Sequence, residues 1–214
     1  MPRYDLHCHS TYSDGLLPPA AVVARAAERG VDVLALTDHD IVDGLPEALV
    51  AARDAGIVLV CGSELSVTWR DNTIHVIALR IDPDNATLLE GLASIRGGRG
   101  ERARLMAEGL AAAGIDGAYE GAMRYVTNVD LVSRTHFARY LVEAGHARNA
   151  RDCFDRYLTH GKPGYVAHAW ASLPAGDRLD PCGRRAGRDR APRPLSREPG
   201  RHAQVAFGIR RHGR

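Results

Sequence analysis

Five imidazoles and two carboxylates stand out for the chemistry they could share: His7, His9, Asp14, His39, Glu64, His75 and His136. The first pair sits in Asp5-Leu6-His7-Cys8-His9-Ser10, which reads as a short strand from Tyr4 to Ser10 closed by the Ser13-Asp14-Gly15 turn. Side chains two apart on a strand share a face, so His7 and His9 point together and Cys8 points away. Zn²⁺, Mn²⁺ and Fe²⁺ all accept such a mixture of imidazole and carboxylate. With Cys8 turned away no thiolate joins the set, which argues against a structural cysteine–zinc site. Seven ligands exceed the needs of one ion and suffice for two or three. Two cations ~3.5–4 Å apart are the arrangement that hydrolyses phosphate esters. Taken alone, His75 fits a hydrogen-bonded core histidine, and His136, in Arg134-Thr135-His136-Phe137, fits a helix cap or a surface position. Asp38 and Asp40 flank His39 and suit either ligation or the orientation of other ligands.

The elements that must position these residues alternate. A helix opens at Pro18-Pro19 and runs to about Arg29, with Gly30 just past its end. Val31–Leu36 is a nearly continuous apolar run, as expected of a strand buried on both faces of a parallel sheet, and it ends in Thr37-Asp38-His39-Asp40. Leu45–Ala55 predicts a second helix, Ile57–Cys61 a third strand ending in Gly62-Ser63-Glu64, and Ile74–Leu79 a fourth. A βαβαβ order implies right-handed crossovers and ligands beyond the carboxyl ends of the strands, where His9, Asp14, His39 and Glu64 would all fall. Residues 1–84 therefore form the first part of a barrel or open sheet. Residues 85–172 read as a mostly helical insertion that caps the site, with helices over Thr87–Ile95, Glu101–Ala113, Val129–Ala144 and Asn149–Leu158. Its Arg96, Arg99, Arg102 and Arg104 would mostly make a solvated helix face, with one or two reaching a phosphate.

The net charge of +2 over 214 residues argues against a general nucleic-acid binder. Four scattered cysteines without a C-x-x-C pair fit reduced thiols, and no apolar run reaches membrane length, so a cytoplasmic setting is expected. From Ala171 onward there are eleven arginines, no lysine and four acidic residues, so the end of the chain supplies the surplus charge. Residues 173–214 lack periodicity until Gln204-Val205-Ala206-Phe207 and read as a disordered basic tail, a nucleic-acid-binding arm, or an out-of-frame translation of GC-rich DNA.

The segments His7-Cys8-His9-Ser10-Thr11-Tyr12-Ser13-Asp14-Gly15, Thr37-Asp38-His39-Asp40, Gly62-Ser63-Glu64 and Ile74-His75-Val76 resemble the successive motifs of the PHP (polymerase and histidinol phosphatase) family. Arg134-Thr135-His136-Phe137-Ala138-Arg139 and Gly161-Lys162-Pro163-Gly164-Tyr165-Val166 resemble its branch of metal-dependent phosphoesterases acting on nucleoside 3′,5′-bisphosphates and short RNA 5′ ends. The resemblance covers about residues 1–172. It implies an α/β fold, a distorted (β/α)₇ barrel with a helical insertion, and two or three divalent ions (Mn, Zn or Fe). By the same resemblance His7, His9 and Glu64 hold one ion, Glu64, His75 and His136 a second, and Asp14 and His39 belong to a third. Arg134, with Arg99 and Arg102, would bind substrate phosphate.

The resemblance stops where the composition changes. The family closes its barrel with further strands and a late Asp-x-His pair preceded by His-Pro, and neither motif occurs after Leu173. The expectation is a phosphoesterase for a small phosphorylated nucleotide or short oligonucleotide, truncated or frame-shifted at its end, with no membrane and no stable protein partner. In that reading nothing after Leu173 closes the barrel, and the chain as given is inactive or nearly so while the ions around Glu64 still bind in part. A histidinol-phosphatase-like enzyme and a catalytically incomplete metal-binding remnant are the alternatives, with a basic-tailed nucleic-acid binder third.

Overall fold

The structure is a computed structural model that describes residues 1–69, 72–168, 170–172 and 205–208. Strand β1 (Tyr4–Cys8) is followed by α1 (Pro19–Glu28), β2 (Val33–Leu36), α2 (Leu45–Ala55), β3 (Val58–Trp69) and β4 (Asn72–Leu79). Strands β1, β2 and β3 pair in parallel, and β3 then pairs antiparallel with β4. Proline at the first turn starts α1 and α2, and Gly56 in the left-handed region ends the latter. Both helices lay Val23, Ala26, Leu45, Ala48 and Ala52 against Leu34 and Leu36 of β2 to form one core. The apolar sequence of β2 is explained by this burial, since three of its four residues are inaccessible.

The third strand is longer than its apolar run predicts. Gly62-Ser63-Glu64 reads as a strand end, yet β3 continues to Trp69, so Glu64 sits in mid-strand and not at a carboxyl terminus. Gly62 marks the switch from the parallel to the antiparallel half. A Cβ there would approach the Ala78 carbonyl and the Thr37 methyl at 2.9 Å, closer than side chains tolerate. The polar second half is buried because its side chains have fixed partners on the loop after β2, described below.

Helices α3 (Ala86–Arg96) and α4 (Arg99–Ala112) lead into α5 (Ala118–Met123), which sequence periodicity did not indicate. The helix expected over Val129–Ala144 is broken. Val129–Leu131 is a single 3₁₀ turn, Val132 and Ser133 are extended, and α6 spans Arg134–Glu143. Ser133 is an N-cap, which explains the new start. A short α7 (Ala150–Cys153) passes directly into a π-helical turn over Phe154–Leu158. These elements enclose a second core around Met106, Leu110, Phe137, Leu141 and Leu158, whereas Leu92 of α3 packs into the first core.

Two short strands complete the sheet. β5 (Ala171–Ser172) pairs with the far half of β3, and β6 (Val205–Gly208) runs parallel to β4, matching Val76 to Val205 and Leu79 to Gly208. Strand β6 falls on the short run Gln204–Phe207 singled out in the sequence, and it adds one strand to a sheet that among the described residues remains a half-barrel. The expected disordered or out-of-frame tail otherwise falls on residues 173–204 and 209–214, outside the described residues. The result is an α/β fold whose sheet curls as a half-barrel, in the order β1-β2-β3-β4-β6.

Phe137 is fully buried in the second core. Phe137→Ala should lower unfolding stability by about 3–5 kcal/mol in urea denaturation. A loss below about 1 kcal/mol would mean that the second core is not a packed unit.

Candidate metal centre

The site begins where β1 ends. His7 and His9 leave the same face, with their Nε2 atoms 3.0 Å apart. Cys8 points to the other side, where its thiol donates to the Ala35 carbonyl at 3.2 Å. Burial, and then the nearby carboxylates of Asp5 and Asp38, push that thiol up to about 12, so Cys8 is an inert core residue.

The next turn is held by Asp38. Its buried carboxylate accepts from the Ser10 backbone N–H at 2.7 Å, the Ser10 hydroxyl at 2.6 Å and the Ser13 hydroxyl at 2.6 Å. Gly15 closes the turn so tightly that a side chain there would land on the His9 carbonyl. Asp14 is thereby presented 3.6 Å from His9 Nδ1 and 3.8 Å from His39 Nε2. Asp38 is therefore an orienting group and not a ligand.

Asp40 braces the loop from its other end. It adopts φ +53°, uncommon for a residue with a side chain. Its carboxylate accepts from the Ser66 N–H at 2.7 Å and the Ser66 hydroxyl at 2.8 Å, and it pairs with the Arg99 guanidinium. Arg96 donates to the Asp40 carbonyl at 2.7 Å. The expectation of a solvated arginine face is thus corrected for Arg96 and Arg99, and it holds for Arg104, exposed beside Glu101. Arg99 is only 4% exposed and lies 4.5 Å from the centroid of the Trp170 ring. Already committed to Asp40, it is less free for a substrate than the resemblance implies.

Glu64 is the hub. Its Oε2 lies 2.8 Å from His7 Nε2, 3.0 Å from His9 Nε2 and 3.8 Å from His39 Nε2, and its Oε1 lies 3.9 Å from His75 Nδ1. Three ligand groups result: His7, His9 and Glu64; His9, Asp14 and His39; His39, Glu64 and His75. Ligands bound at ~2.1 Å stand about 3 Å from one another around one ion, which the first triangle matches. A neutral imidazole has one lone pair, so His9 and His39 can each serve a single ion. Glu64 has two oxygens and can serve two. His39 Nδ1 is buried with no hydrogen-bond partner among the described residues, as expected where polar groups await a further partner.

The electrostatics agree with this geometry. Burial would raise the Glu64 carboxyl, but hydrogen bonding to His9 and His7 and the charge of His39 outweigh it and hold it at about 2. His9 is raised because Glu64 and Asp14 outweigh the effect of burial, whereas burial and the neighbouring His9 and His75 push His39 well below its usual range. Glu64 is thus held toward the ionised form that cation binding requires.

His136 joins none of the three groups, contrary to the expected set of Glu64, His75 and His136. It fills the cap position that its place at a helix start permits. Its Nδ1 accepts from the Ser133 N–H at 3.0 Å, and burial pushes the imidazole below its usual range.

The remaining predicted residues share one cavity of about 280 Å³ lined by His7, His9, Asp14, His39, Glu64 and His75 together with Arg99, Arg102 and Arg134. Arg102 donates to the Val166 carbonyl at 3.2 Å and Arg134 to the Leu158 carbonyl at 3.4 Å. Among the described residues neither pairs with a carboxylate. Burial, followed by the charges of Arg134 and Arg99, brings Arg102 down to about 10. Two half-buried guanidinium groups that pair with no carboxylate among the described residues have the chemistry that suits an anion. Sequence reasoning missed Ser66, Thr73, Phe154 and Trp170 on the cavity wall. Ser66 was within reach, since it lies two residues after Glu64 on a strand, but no periodic signal surrounds Trp170.

The depressed Glu64 carboxyl stabilises the metal-free fold above about pH 4.5, and that contribution is lost as pH falls toward 2. The stability gap between wild type and Glu64→Gln, from urea denaturation with chelator present, should shrink by roughly 2 kcal/mol between pH 6 and pH 3. A gap independent of pH would show that Glu64 is not held ionised by its histidines.

Known proteins resemble this chain in sequence and fold. A 3′,5′-nucleoside bisphosphate phosphatase of Chromobacterium violaceum is 53% identical over 173 residues, 81% of this chain and 61% of its own length. A 5′-3′ exoribonuclease of Haemophilus influenzae is 43% identical over 172 residues, 80% of this chain and 62% of its own length. The chain thus spans about six-tenths of the length of these curated relatives. Among solved structures, an amidohydrolase from C. violaceum with bound sulfate and no metal superposes with a TM-score of 0.78 at 53% identity, over 79% of this chain and 60% of that one. A candidate metal-dependent phosphoesterase from Bifidobacterium adolescentis gives 0.73 at 28% identity, over 80% of this chain and 60% of that one. The PHP domain pattern matches residues 5–166, and with the half-barrel and its histidine–glutamate clusters this makes the chain a member of the PHP domain family.

Proposed function

We propose that the chain carries the metal-binding half of a metal-dependent phosphoesterase whose substrate is a nucleotide bearing a terminal phosphate. The observation that carries this reading is the meeting of a histidine-ringed Glu64 with two arginines that pair with no carboxylate among the described residues, all in one cavity. His7 and His9 with Glu64 Oε2 would hold one divalent ion, His75 with Glu64 Oε1 a second, and Asp14 with His39 would contribute to a third. Such ions (Mn, Zn or Fe) supply Lewis-acid polarisation of a phosphoryl oxygen and acidify water at neutral pH. Imidazole and carboxylate donors without thiolate suit all three metals and do not select among them.

This chain's own residues supply the rest. Arg102 and Arg134 neutralise phosphoryl oxygens, and their burial strengthens each charge-assisted bond while the cavity wall limits water. Arg99 acts indirectly by holding Asp40, and through it the loop that carries His39. The names of the relatives favour a nucleoside 3′,5′-bisphosphate or an RNA 5′ end, and the sulfate in one of them favours a tetrahedral anion. Histidinol phosphate is the alternative within the same chemistry. Among the described residues no helix is long and apolar enough to cross a membrane.

The test is phosphate release from adenosine 3′,5′-bisphosphate by protein loaded with Mn²⁺, with histidinol phosphate and a 5′-phosphorylated oligoribonucleotide in parallel. Turnover of a nucleotide that chelator abolishes supports the reading and overturns the expectation that the chain as given is inactive or nearly so. Metal uptake without turnover of any of the three accords with that expectation and points to a metal-binding remnant. Arg134→Ala should raise KM about 10- to 100-fold with metal content unchanged, the cost of one charge-assisted contact. Loss of metal in that variant would make Arg134 a structural residue.

A further inference from the structure

Besides the histidines, two aromatic side chains line the cavity, Phe154 and Trp170. The faces of Trp170 are taken. It is 8% exposed, its indole N–H donates to the Thr73 hydroxyl at 3.2 Å, and the Arg99 guanidinium and the His168 ring stand 4.5 Å and 4.2 Å from its ring centroid. Phe154 is only half-buried: it packs against the second core and also lines the cavity. A phenyl ring can neither ligate a cation nor hydrogen-bond to a phosphate. Its place on a wall of histidine, carboxylate, hydroxyl and arginine groups therefore suits another part of the ligand.

The main chain sets where this ring stands relative to Arg134. Phe154 opens the π-helical turn and Leu158 closes it, with the Thr159 N–H donating to the Phe154 carbonyl at 3.1 Å. Arg134 donates to the Leu158 carbonyl at 3.4 Å, and its guanidinium carbon lies 5.6 Å from the Phe154 ring centroid. One turn thus carries the ring on its first residue and anchors the arginine at its last. Such turns are rare and concentrate at functional sites. An anion held by Arg134 has an aromatic ring beside it.

We propose that Phe154 is a specificity-determining residue: the nucleobase of a phosphorylated ligand stacks on its ring while Arg134 holds the phosphate. The pair selects nucleoside phosphates over phosphates that lack a base. Every nucleobase has a π face, so the platform favours nucleotides as a class without choosing among bases. This inference deepens the reading of the cavity as a site for a phosphorylated nucleotide and rests on it.

The test is titration calorimetry of the full chain with chelator present, so that no ligand turns over. The ligands are adenosine 5′-phosphate and ribose 5-phosphate, which share the sugar phosphate and differ in the base. Wild type should bind adenosine 5′-phosphate about 10-fold more tightly than ribose 5-phosphate. Phe154→Leu should bind ribose 5-phosphate as wild type does and lose the preference, and Phe154→Tyr, which keeps the ring, should retain it. Equal affinities in wild type, or an unchanged preference in Phe154→Leu, would overturn the proposal. Equal weakening of both ligands in Phe154→Leu would also overturn it, by making the ring a support for Arg134, as would loss of the preference in Phe154→Tyr. If Phe154→Leu does not fold, Phe154→Met refills more of the ring's volume and is read in the same way. Binding of neither ligand by wild type would overturn the reading of the arginines as an anion site and this inference with it, whereas changes confined to the variants bear on Phe154 alone.

Discussion

Two backbone hydrogen bonds hold the site together. The Asp40 N–H donates to the Glu64 carbonyl at 3.0 Å, and the Glu64 N–H donates to the Asp38 carbonyl at 3.1 Å. They make an isolated parallel bridge between His39 and Glu64, just beyond the point where β2 has ended. His39 is thus locked opposite Glu64 by main-chain geometry, independently of either side chain. The constraint needs Asp38 and Asp40 on either side, and their carboxylates are spent on the Ser10–Ser13 turn and on Ser66 and Arg99. A cluster of like groups that would otherwise repel or drift is held before any cation arrives, which lowers the cost of binding one.

The same bracing explains how the helical insertion depends on the barrel. Arg96 and Arg99 reach from α3 and α4 to the Asp40 backbone and carboxylate, and Trp170 covers the Arg99 guanidinium. A buried ion pair is costly unless each charge is fully hydrogen-bonded. Here the carboxylate is, through Ser66, and the buried Ser66 hydroxyl also lies 3.2 Å from Arg99. Arg102 and Arg134, from α4 and α6, then stand over the metal cluster with only carbonyl partners. The insertion contributes the positive wall of the cavity and the half-barrel contributes the negative floor.

What was legible in the sequence follows from period and residue type. The His7–His9 pair on one face, the buried β2, and the convergence of His9, Asp14, His39 and Glu64 come from strand alternation and βα order, whereas His75 entered the set through the family resemblance. The extension of β3 was not legible, because Gly62-Ser63-Glu64 has the composition of a turn. Its antiparallel ladder with β4, from Gly62–Leu79 to Trp69–Asn72, makes it strand. The roles of Asp38 and Asp40 stayed open for the same reason, since a buried carboxylate is defined by its donors. Family resemblance put His136 among the ligands, whereas its local position at the start of a helix indicated a cap, and its Nδ1 accepts from the Ser133 N–H as a cap does. Arg99 resembled a surface residue because α4 carries arginines on several sides, and nothing in its spacing marks the one that meets Asp40. The strand at Val205–Gly208 matches the short run Gln204–Phe207 that broke the tail's lack of periodicity, but nothing in that run indicated β4 as its partner.

The central claim is that Glu64 bridges two cations, one oxygen to each. Electron paramagnetic resonance of the Mn²⁺-loaded protein addresses it directly, because ions ~3.5–4 Å apart through one carboxylate couple their spins. The account predicts an exchange-coupled Mn²⁺ pair in wild type that Glu64→Gln abolishes. A signal from isolated Mn²⁺ alone at saturating metal, unchanged by that substitution, would contradict it.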